Sequence, residues 1–323
     1  MNATHTQHFR PVDHKAVQYA QRKLGLYAKH QPLVEVAGSF DASKHRIMCN
    51  SEDGKLKGAV MSPPAYLDWS EPINEKEAHS RKPNRLTASQ QWFGLVDILL
   101  KHGVQVTVLK PGESRKEGVY TRDIAFAIDG KLFVSSLKEP IRQPEQKLIK
   151  GAIVPPAEAI IEGGNAILGN GDSVFLGVGG EGRTNLAAVE WLQWELGTSR
   201  EVIPIKLQPG VLHLDCAFCP LEGNGNGSPS ALVYAEAFAA PKDLGIIGKR
   251  YQNFLHLKYE EYDNLGLNML KLDRKTVIVH TGHERIGKLL KNQGYEVIKY
   301  DYTELILGGG SYRCTFMPFL REN

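Results

Sequence analysis

The stretch LLKHGVQVTVL, residues 99–109, has a close counterpart later in the chain, LLKNQGYEVIKY, residues 289–300. Each begins as the apolar end of a helix, passes through a glycine (Gly103, Gly294) and continues as a run that predicts a strand. Glycine is the residue that most easily takes the positive φ with which helices end. The repeated helix–glycine–strand pattern therefore predicts an α/β fold built from similar units.

Three further units of this kind can be drawn between the two stretches. They are hairpin strands within residues 119–136, the strand VFLGVGG (174–180) with the helix TNLAAVEWLQWEL (184–196), and ALVYAEAF (231–238) with a helix after Pro241. About five strand–strand–helix–strand modules predict a closed, pseudo-fivefold α/β propeller. An open, doubly wound sheet is the alternative.

Composition excludes several classes of protein. The chain has 323 residues, 42% of them hydrophobic and 23% charged, and a formal net charge of +3. No lysine–arginine stripe interleaved with aromatics is present, so nucleic acid is not an expected partner. No apolar run reaches the length of a membrane span, and the first residues lack the apolar core of a secretory signal. Four cysteines without framework spacing indicate a reducing compartment, and the cytoplasm is the expected one.

Residues 10–30 are predominantly basic and have the pattern of a helix, with Asp13 as the single acid. We expect a helical N-terminal extension, residues 1–45, that packs on a single catalytic domain, residues 46–323. An organelle-targeting peptide is the alternative interpretation. The basic side chains are Arg10, Lys15, Arg22, Lys23 and Lys29.

The segment 177–182 matches GxGxxG, follows an apolar run and precedes a helix. A dinucleotide fingerprint belongs to a first βαβ unit with an acid at the end of the next strand, whereas Glu201 precedes the next strand here. We therefore expect no nucleotide cofactor.

Cys216 and Cys219 form a lone CxxC close to His213 and Asp215. A structural zinc site needs a second such pair or an HxxxH motif. We therefore interpret these cysteines as strand and turn packing and expect no metal.

Cys314 follows the glycine run 308–310 and comes directly after Arg313. Flexible glycines could present the thiol at the rim of a cleft, and a neighbouring guanidinium favours the reactive thiolate. The alternative is a small buried hydrophobic residue.

Polar groups elsewhere fit such a nucleophile. His213 and Asp215, two positions apart on a predicted strand, would project to the same face. Asp123 and Glu162 come at predicted strand ends beside turns. One thiol, one imidazole and three carboxylates would then share a pocket. The carboxylates would repel an oxyanion, but they suit a planar cation with several N–H donors, such as a guanidinium.

Four motifs carry a family resemblance from about residue 58 onward. In their order and spacing the chain resembles the guanidino-group-modifying superfamily, with its arginine deiminases, dimethylargininases and amidinotransferases. The resemblance implies a pseudo-fivefold propeller with the active site on its axis. The motifs are Tyr-Thr-Arg-Asp (120–123), Glu-Gly-Gly-Asn (162–165), His-Leu-Asp (213–215) and Gly-Gly-Gly-Ser-Tyr-Arg-Cys (308–314).

The resemblance also implies roles. Cys314 would be the nucleophile and His213 the general acid and base, with Glu162 holding the histidine. Asp123 and Asp215 would bind the guanidinium nitrogens.

Three further residues are assigned to the substrate by the same resemblance. Arg142 and, less directly, Arg183 fall near the arginines that bind the substrate carboxylate in the family. Asn165 stands where arginine deiminases often have an aspartate, and the resemblance makes it a substrate-binding candidate.

The function implied is hydrolysis of a small guanidino compound such as arginine or a methylated arginine, without metal or organic cofactor. An amidinotransferase and a non-catalytic binding protein on the same scaffold are the alternatives. Segments 62–69 and 73–74 resemble arginine dihydrolases, which leaves the subfamily open. The oligomeric state is open as well, with a homo-oligomer among the options.

Overall fold

The computed structural model describes residues 14–221 and 229–322. These residues form an α/β fold with eight α-helices and seventeen strands. The helices are α1 (His14–His30), α2 (Glu75–His79), α3 (Arg85–Lys101), α4 (Leu186–Leu196), α5 (Pro241–Gly248), α6 (Tyr259–Asp263), α7 (Glu284–Asn292) and α8 (Thr303–Ile306). The strands are β1 (Val34–Ala37), β2 (Phe40–Asp41), β3 (Lys55–Met61), β4 (Gln105–Leu109), β5 (Ala125–Ile128), β6 (Lys131–Val134), β7 (Ile149–Lys150), β8 (Ala166–Leu168), β9 (Ser173–Gly179), β10 (Glu201–Leu207), β11 (Phe218–Leu221), β12 (Ser230–Val233), β13 (Asn253–His256), β14 (Leu270–Lys271), β15 (Thr276–His280), β16 (Glu296–Tyr300) and β17 (Met317–Glu322).

One pairing pattern recurs in four sheets of the described chain. An antiparallel pair is followed by a parallel partner, and a helix crosses between the two parallel strands, as parallel neighbours require. The sheets, each with its crossing helix, are β8–β9–β10 with α4, β11–β12–β13 with α5, β14–β15–β16 with α7, and β17–β3–β4 with α3.

A fifth unit is the hairpin β5–β6, to which Ile153 adds a parallel bridge at Phe133. β2 and β7 pair in a smaller sheet beside it. The α/β class and the repeated units that the sequence predicts are therefore confirmed.

The repeat quoted first forms as expected. Helix α3 is capped at its N-terminus by Asn84, whose side-chain oxygen accepts a hydrogen bond from the Thr87 N–H at 3.0 Å. It is followed by Gly103 with φ +75°, and α7 is followed by Gly294 with φ +86°. Both glycines turn the chain directly into a strand, β4 and β16 respectively.

The segment 1–45 is partly integrated into the main sheet. Helix α1 packs on α3, where the Tyr27 hydroxyl donates a hydrogen bond to Asp97 at 2.6 Å. Strand β1 then pairs in parallel with β4, Val34 opposite Val106. The described part of this segment is thus continuous with the sheet that contains β3 and β17, and residues 1–13 lie outside the described residues.

The polar motifs occupy equivalent places in the units, just before the first strand of each. Asp123 precedes β5, Glu162 precedes β8, His213 precedes β11 and Cys314 precedes β17. In the remaining unit Asn268 precedes β14. Within the described ranges, no helix has both the length and the hydropathy needed to cross a lipid bilayer.

Candidate active site

Residues from four of the five units line one small cavity of about 20 Å³, and Asn268 of the fifth unit contacts the sulfur of Cys314. Cys314, His213, Asp123, Arg142 and Arg183 are among its lining residues. Sequence analysis predicted each of these five as a site residue, and the fold brings them together from positions that are far apart in the chain.

The imidazole of His213 is buried between two carboxylates. Its Nε2 lies 2.8 Å from an oxygen of Glu162, and its Nδ1 lies 3.7 Å from Oδ1 of Asp123. Burial alone would lower the pKa of His213, but the charges of Asp123 and Glu162 outweigh burial, and the pKa is raised. The two carboxylates therefore favour the protonated form of the imidazole.

The Nδ1 of His213 and the Oδ1 of Asp123 have no hydrogen-bond partner among the described residues. Both atoms are buried, and both residues line the cavity. Buried polar atoms without partners are costly, so this pair is arranged for a polar group that enters the cavity.

The position of His213 depends on a close approach by the main chain. A Cβ atom at Gly164 would lie 2.6 Å from the Nδ1 of His213. Only glycine leaves room for the imidazole at this point of the Glu-Gly-Gly-Asn motif.

Glu162 is the fully buried partner of the histidine. Burial would raise the pKa of its carboxyl, but the hydrogen bond and charge of His213, together with Arg183, hold that pKa well below its usual range. Glu162 is therefore ionised and fixes the Nε2 proton of His213, in the position that the resemblance implied.

Cys314 is 2% exposed, and its sulfur is bound by a residue that sequence analysis missed. The side-chain nitrogen of Asn268 donates a hydrogen bond to Sγ at 3.1 Å, and the Cys314 N–H donates to the Asn268 side-chain oxygen at 3.2 Å. Burial and the charges of Asp215 and Asp123 nevertheless raise the pKa of the thiol well above its ordinary value.

The expectation that Arg313 promotes the thiolate is not supported. Its guanidinium donates to Asp215 at 2.7 Å and to Glu52 at 2.9 Å. Arg313 is thus neutralised by two buried acids.

The glycine run 308–310 also does not form the flexible rim that the sequence predicted. All three glycines are buried, and added Cβ atoms at Gly308 and Gly310 would collide with the side chain of Tyr120. The glycines allow close packing beneath Cys314, because a larger residue would separate this segment from Tyr120.

Asp123 is anchored by Arg142. The arginine donates from Nη1 to Oδ2 of Asp123 at 2.6 Å and from Nη2 to Glu145 at 2.8 Å and to the Tyr120 carbonyl at 3.0 Å. Since these partners use most of its guanidinium, Arg142 orients Asp123 in this structure.

Arg183 lies among three acids. Its Nη2 donates to the Ile73 carbonyl at 2.8 Å and lies 3.4 Å from Glu181 and 3.8 Å from Glu139, and its Nη1 lies 3.5 Å from Glu162. Its Nε has no partner among the described residues. Of the two arginines predicted to bind a substrate carboxylate, only Arg183 has a buried guanidinium nitrogen without a partner among the described residues.

Asp215, predicted to bind the substrate cation, is not among the residues that line the cavity. Residues Leu214–Cys216 form a 3₁₀ turn instead of the predicted strand, so the two-residue spacing does not place His213 and Asp215 on one face. One oxygen of Asp215 is bonded to Arg313 and the other lies 3.6 Å from the sulfur of Cys216.

Asn165 holds the histidine loop. Its side-chain oxygen accepts a hydrogen bond from the Leu214 N–H at 2.9 Å, and its amide donates to Thr184 at 3.0 Å. Both contacts are to the protein, and Asn165 supports His213 from behind.

Two acids that no sequence motif singles out also line the cavity, Glu77 and Glu117. Burial and the charge of Glu77 raise the pKa of Glu117 well above its usual value. The Glu77 carboxylate accepts hydrogen bonds from the Ile73 N–H and the Asn74 side chain, both at 2.7 Å. Only the folded structure brings these two acids to the site.

Asp123, Glu162 and His213 place ligand atoms within 4.8 Å of one another, close enough to hold a metal ion. Ion pairs with Arg142 and Arg183 already offset the charge of the two carboxylates. The CxxC cysteines are not part of this group, since Cys216 lies in the 3₁₀ turn and Cys219 in β11, both buried in apolar clusters. Their interpretation as packing residues is confirmed.

A larger cleft of about 520 Å³ adjoins the cavity and shares Asn74, Leu212 and Gly309 with it. Helix α2 lies along one side of the cleft and α6 along the other. Lys76 on α2 joins them by donating to the Asp263 carboxylate at 2.8 Å. The inner cavity has room for little more than a water molecule.

Comparison with a family model gives a match over residues 68–321. The model describes the eukaryotic N,N-dimethylarginine dimethylhydrolases. The match covers the four sequence motifs and most of the described chain.

Individual proteins show the same relationship. An uncharacterized protein of Bacillus subtilis (strain 168), YkgA, is 34% identical over 292 residues, which cover 88% of this chain and 98% of that protein. The N(G),N(G)-dimethylarginine dimethylaminohydrolase of Mycobacterium tuberculosis is 25% identical over 264 residues, 79% of this chain and 83% of that one.

A solved structure has the same fold. It is the N-terminal domain of ArgZ, an arginine dihydrolase from the ornithine–ammonia cycle in cyanobacteria, as a cysteine-to-serine mutant bound to substrate. The two structures superpose with a TM-score of 0.72 over 82% of this chain and 98% of that domain, at 21% sequence identity.

Proposed function

The chain belongs to the eukaryotic N,N-dimethylarginine dimethylhydrolase family of the guanidino-group-modifying superfamily, and on that premise we propose that it hydrolyses a guanidinium C–N bond of arginine or a methylated arginine. The observation that carries the proposal is the shared cavity of Cys314, His213 and Asp123, in which the histidine is bonded to Glu162. The products are a ureido amino acid and ammonia or an alkylamine.

Binding begins with the attraction between the substrate cation and a carboxylate of the site. The Oδ1 of Asp123 accepts an N–H of the guanidinium, and Arg142 keeps this carboxylate in place through its other oxygen. Arg183 takes the substrate carboxylate with its free Nε. The substrate cation also offsets the charge of Asp123, which is one of the groups that raise the pKa of the Cys314 thiol.

The covalent step then proceeds from sulfur to carbon. Cys314 passes its proton to a solvent water molecule, the thiolate attacks the guanidinium carbon, and a tetrahedral adduct forms. Protonated His213 donates from Nδ1 to the leaving nitrogen, the C–N bond breaks, and ammonia or an alkylamine departs. A thiouronium remains on the sulfur.

Hydrolysis reverses the role of the histidine. His213, now neutral, removes a proton from water, and the resulting hydroxide adds to the thiouronium carbon. The C–S bond breaks, the sulfur recovers a proton from His213, and the hydroxyl proton of the adduct passes to the histidine as the ureido product leaves. Glu162 stabilises the imidazolium whenever it forms, because its carboxylate stays ionised.

Two finer features belong to the same proposal. The five units would surround the cavity as a pseudo-fivefold propeller, which the recurring sheet pattern supports. The four cysteines are all free and buried, which supports a reducing compartment such as the cytoplasm.

The deciding experiment compares Cys314→Ser with the matched variant Cys219→Ser. Each is incubated with arginine, monomethylarginine or dimethylarginine, and ureido product, ammonia and methylamines are quantified separately. The position 314 variant should lose at least about 10³-fold in turnover, while the position 219 variant keeps it. Full turnover by Cys314→Ser refutes the assignment.

The released amine identifies the substrate. Dimethylamine indicates a dimethylarginine hydrolase, and ammonia indicates an arginine hydrolase. A new guanidino compound on addition of glycine or lysine would instead mean amidino transfer, and binding without any product would mean a non-catalytic relative. Either of these two results contradicts the hydrolase proposal.

A further inference from the structure

Glu52 is a buried acid outside the cavity that contacts several of the segments that build the site. Its Oε1 accepts hydrogen bonds from Arg313 at 2.9 Å, from Arg122 at 3.4 Å and from the Leu168 N–H at 3.4 Å. Glu52 is not among the residues that line the cavity. Any effect on catalysis must therefore pass through its neighbours.

Each neighbour is attached to a catalytic motif. Arg122 directly precedes Asp123, and Arg313 directly precedes Cys314. Leu168 ends the strand β8 that follows the Glu162 motif. One carboxylate thus bonds three of the segments whose relative positions define the site.

Two further bonds tighten the same arrangement. The Arg122 N–H donates to the Cys314 carbonyl at 3.0 Å, which joins two of these segments through their main chains. Arg313 also donates to Asp215 at 2.7 Å, in the turn that follows His213. Through Arg313, Glu52 is therefore connected to the histidine segment as well.

The charge of Glu52 is required for this connection. Burial and the nearby charge of Arg313 lower the pKa of Arg122 to about 10, because two guanidiniums lie close together away from water. The Nε of Arg122 has no partner among the described residues. Without a carboxylate at position 52, the two cations would repel each other beneath Asp123 and Cys314.

We propose that Glu52 is a positioning residue that fixes the distance between the Cys314 sulfur and the guanidinium-binding Asp123 by neutralising Arg122 and Arg313. The inference rests on the proposed function. Errors of about 1 Å in the placement of reacting groups can lower rates by about 10²-fold. Glu52 therefore affects the placement of the reacting groups and not the affinity for the substrate.

The test uses Glu52→Gln, Glu52→Asp and a control, Asp97→Asn, in the full chain. Asp97 also joins two elements, α1 and α3, but on the outside of the molecule. For each variant, kcat and KM are measured with the best guanidino substrate of the wild type, and thermal unfolding reports the fold.

Glu52→Gln should lower kcat by about 10- to 100-fold with KM within about threefold of wild type. Glu52→Asp keeps the charge at a shorter reach, so its kcat should lie at least about threefold below wild type and about threefold above the glutamine variant. Asp97→Asn should keep the wild-type kcat.

A kcat of Glu52→Gln within twofold of wild type overturns the inference. A kcat of Glu52→Asp that lies less than about threefold below wild type, or less than about threefold above Glu52→Gln, also overturns it. If Glu52→Gln does not fold, Glu52→Asp decides alone, and wild-type kcat in that variant overturns the inference. The proposed function fails separately, when the wild-type protein itself gives no ureido product. In that case the rate of Cys314 alkylation by 2-chloroacetamidine replaces kcat, and an unchanged rate in Glu52→Gln overturns the inference.

Discussion

Asn268 binds Cys314 at two points, donating to its sulfur at 3.1 Å and accepting from its main-chain N–H at 3.2 Å. Both contacts are made by one buried side-chain amide that reaches Cys314 from another unit of the fold. This pairing opposes burial and the neighbouring carboxylates, which raise the pKa of the thiol.

Replacing Asn268 by Asp should make the thiol harder to ionise. The change removes the N–H donor and adds a carboxylate beside the sulfur, so the pKa of Cys314 rises further. At neutral pH the rate of alkylation by iodoacetamide should fall about tenfold for each unit of that rise. The pH dependence of alkylation measures the shift, and an unchanged profile would show that Asn268 does not act on the sulfur.

The pair His213–Glu162 predicts how activity and stability depend on pH. The pKa of His213 in the folded protein is raised above its ordinary value of about 6.5. Its stabilising contribution is thus fully present below that value and is lost as pH rises through the raised pKa. In Glu162→Gln the alkaline limb of the kcat profile should move to lower pH, because the imidazolium loses its carboxylate partner.

The control for this change is Glu304→Gln, another buried acid that is bonded to an arginine but does not line the cavity. It should leave the alkaline limb where it is in wild type. An unshifted limb in Glu162→Gln would contradict the role of Glu162.

Asp123→Asn should separate thiol reactivity from turnover. Loss of a charged hydrogen bond to the guanidinium costs about 1.5–3 kcal/mol, so kcat/KM should fall by about 10- to 150-fold. Removal of the same charge lowers the pKa of the free Cys314 thiol, because Asp123 is one of the groups that raise it. Alkylation of the unliganded protein should therefore become faster while turnover becomes slower. Parallel changes in the two rates would argue against this assignment of Asp123.

A pair of glycine substitutions tests the packing of His213. Gly164→Ala places a Cβ 2.6 Å from the Nδ1 of the imidazole and should destabilise the protein by about 1–3 kcal/mol and displace the ring. Gly25→Ala, in the exposed face of α1 with no atom within 4 Å of the added Cβ, should instead stabilise by about 0.5–1 kcal/mol. Turnover and denaturant unfolding of both variants measure the difference, and equal behaviour would show that Gly164 is not constrained.

The sequence predicts the units of the fold well because their signals are local. Gly103 and Gly294 end helices through their own backbone conformation, and the apolar runs after them form strands. The family resemblance of the motifs also implies that Cys314, His213 and Glu162 belong to one site. In the structure Cys314 and His213 line one cavity, and Glu162 is bonded to His213. The prediction that His213 and Asp215 project to the same face assumed a strand. Residues Leu214–Cys216 form a 3₁₀ turn instead, so their two-residue spacing does not give the direction of Asp215.

Other residues could not be found from local pattern, since they act across long separations. Glu52 contacts Arg313 from 261 positions away, and Glu117 has no motif around it. Asn268 is different, because it stands before the first strand of its unit, where the other units carry their motifs. Alignment of the repeats against each other would have identified it.

The pairing of β17 with β3 has a consequence for the order of events in folding. The two strands are separated by most of the polypeptide, and the Arg321 guanidinium donates to the carbonyl of Gly54 across 267 positions. Contacts between residues so far apart in sequence have the largest entropic cost of loop closure, and they tend to form late. Since Cys314 directly precedes this strand, partly folded chains would have a nucleophile without its acid and base, and the capacity for chemistry would arise only with the final docking event.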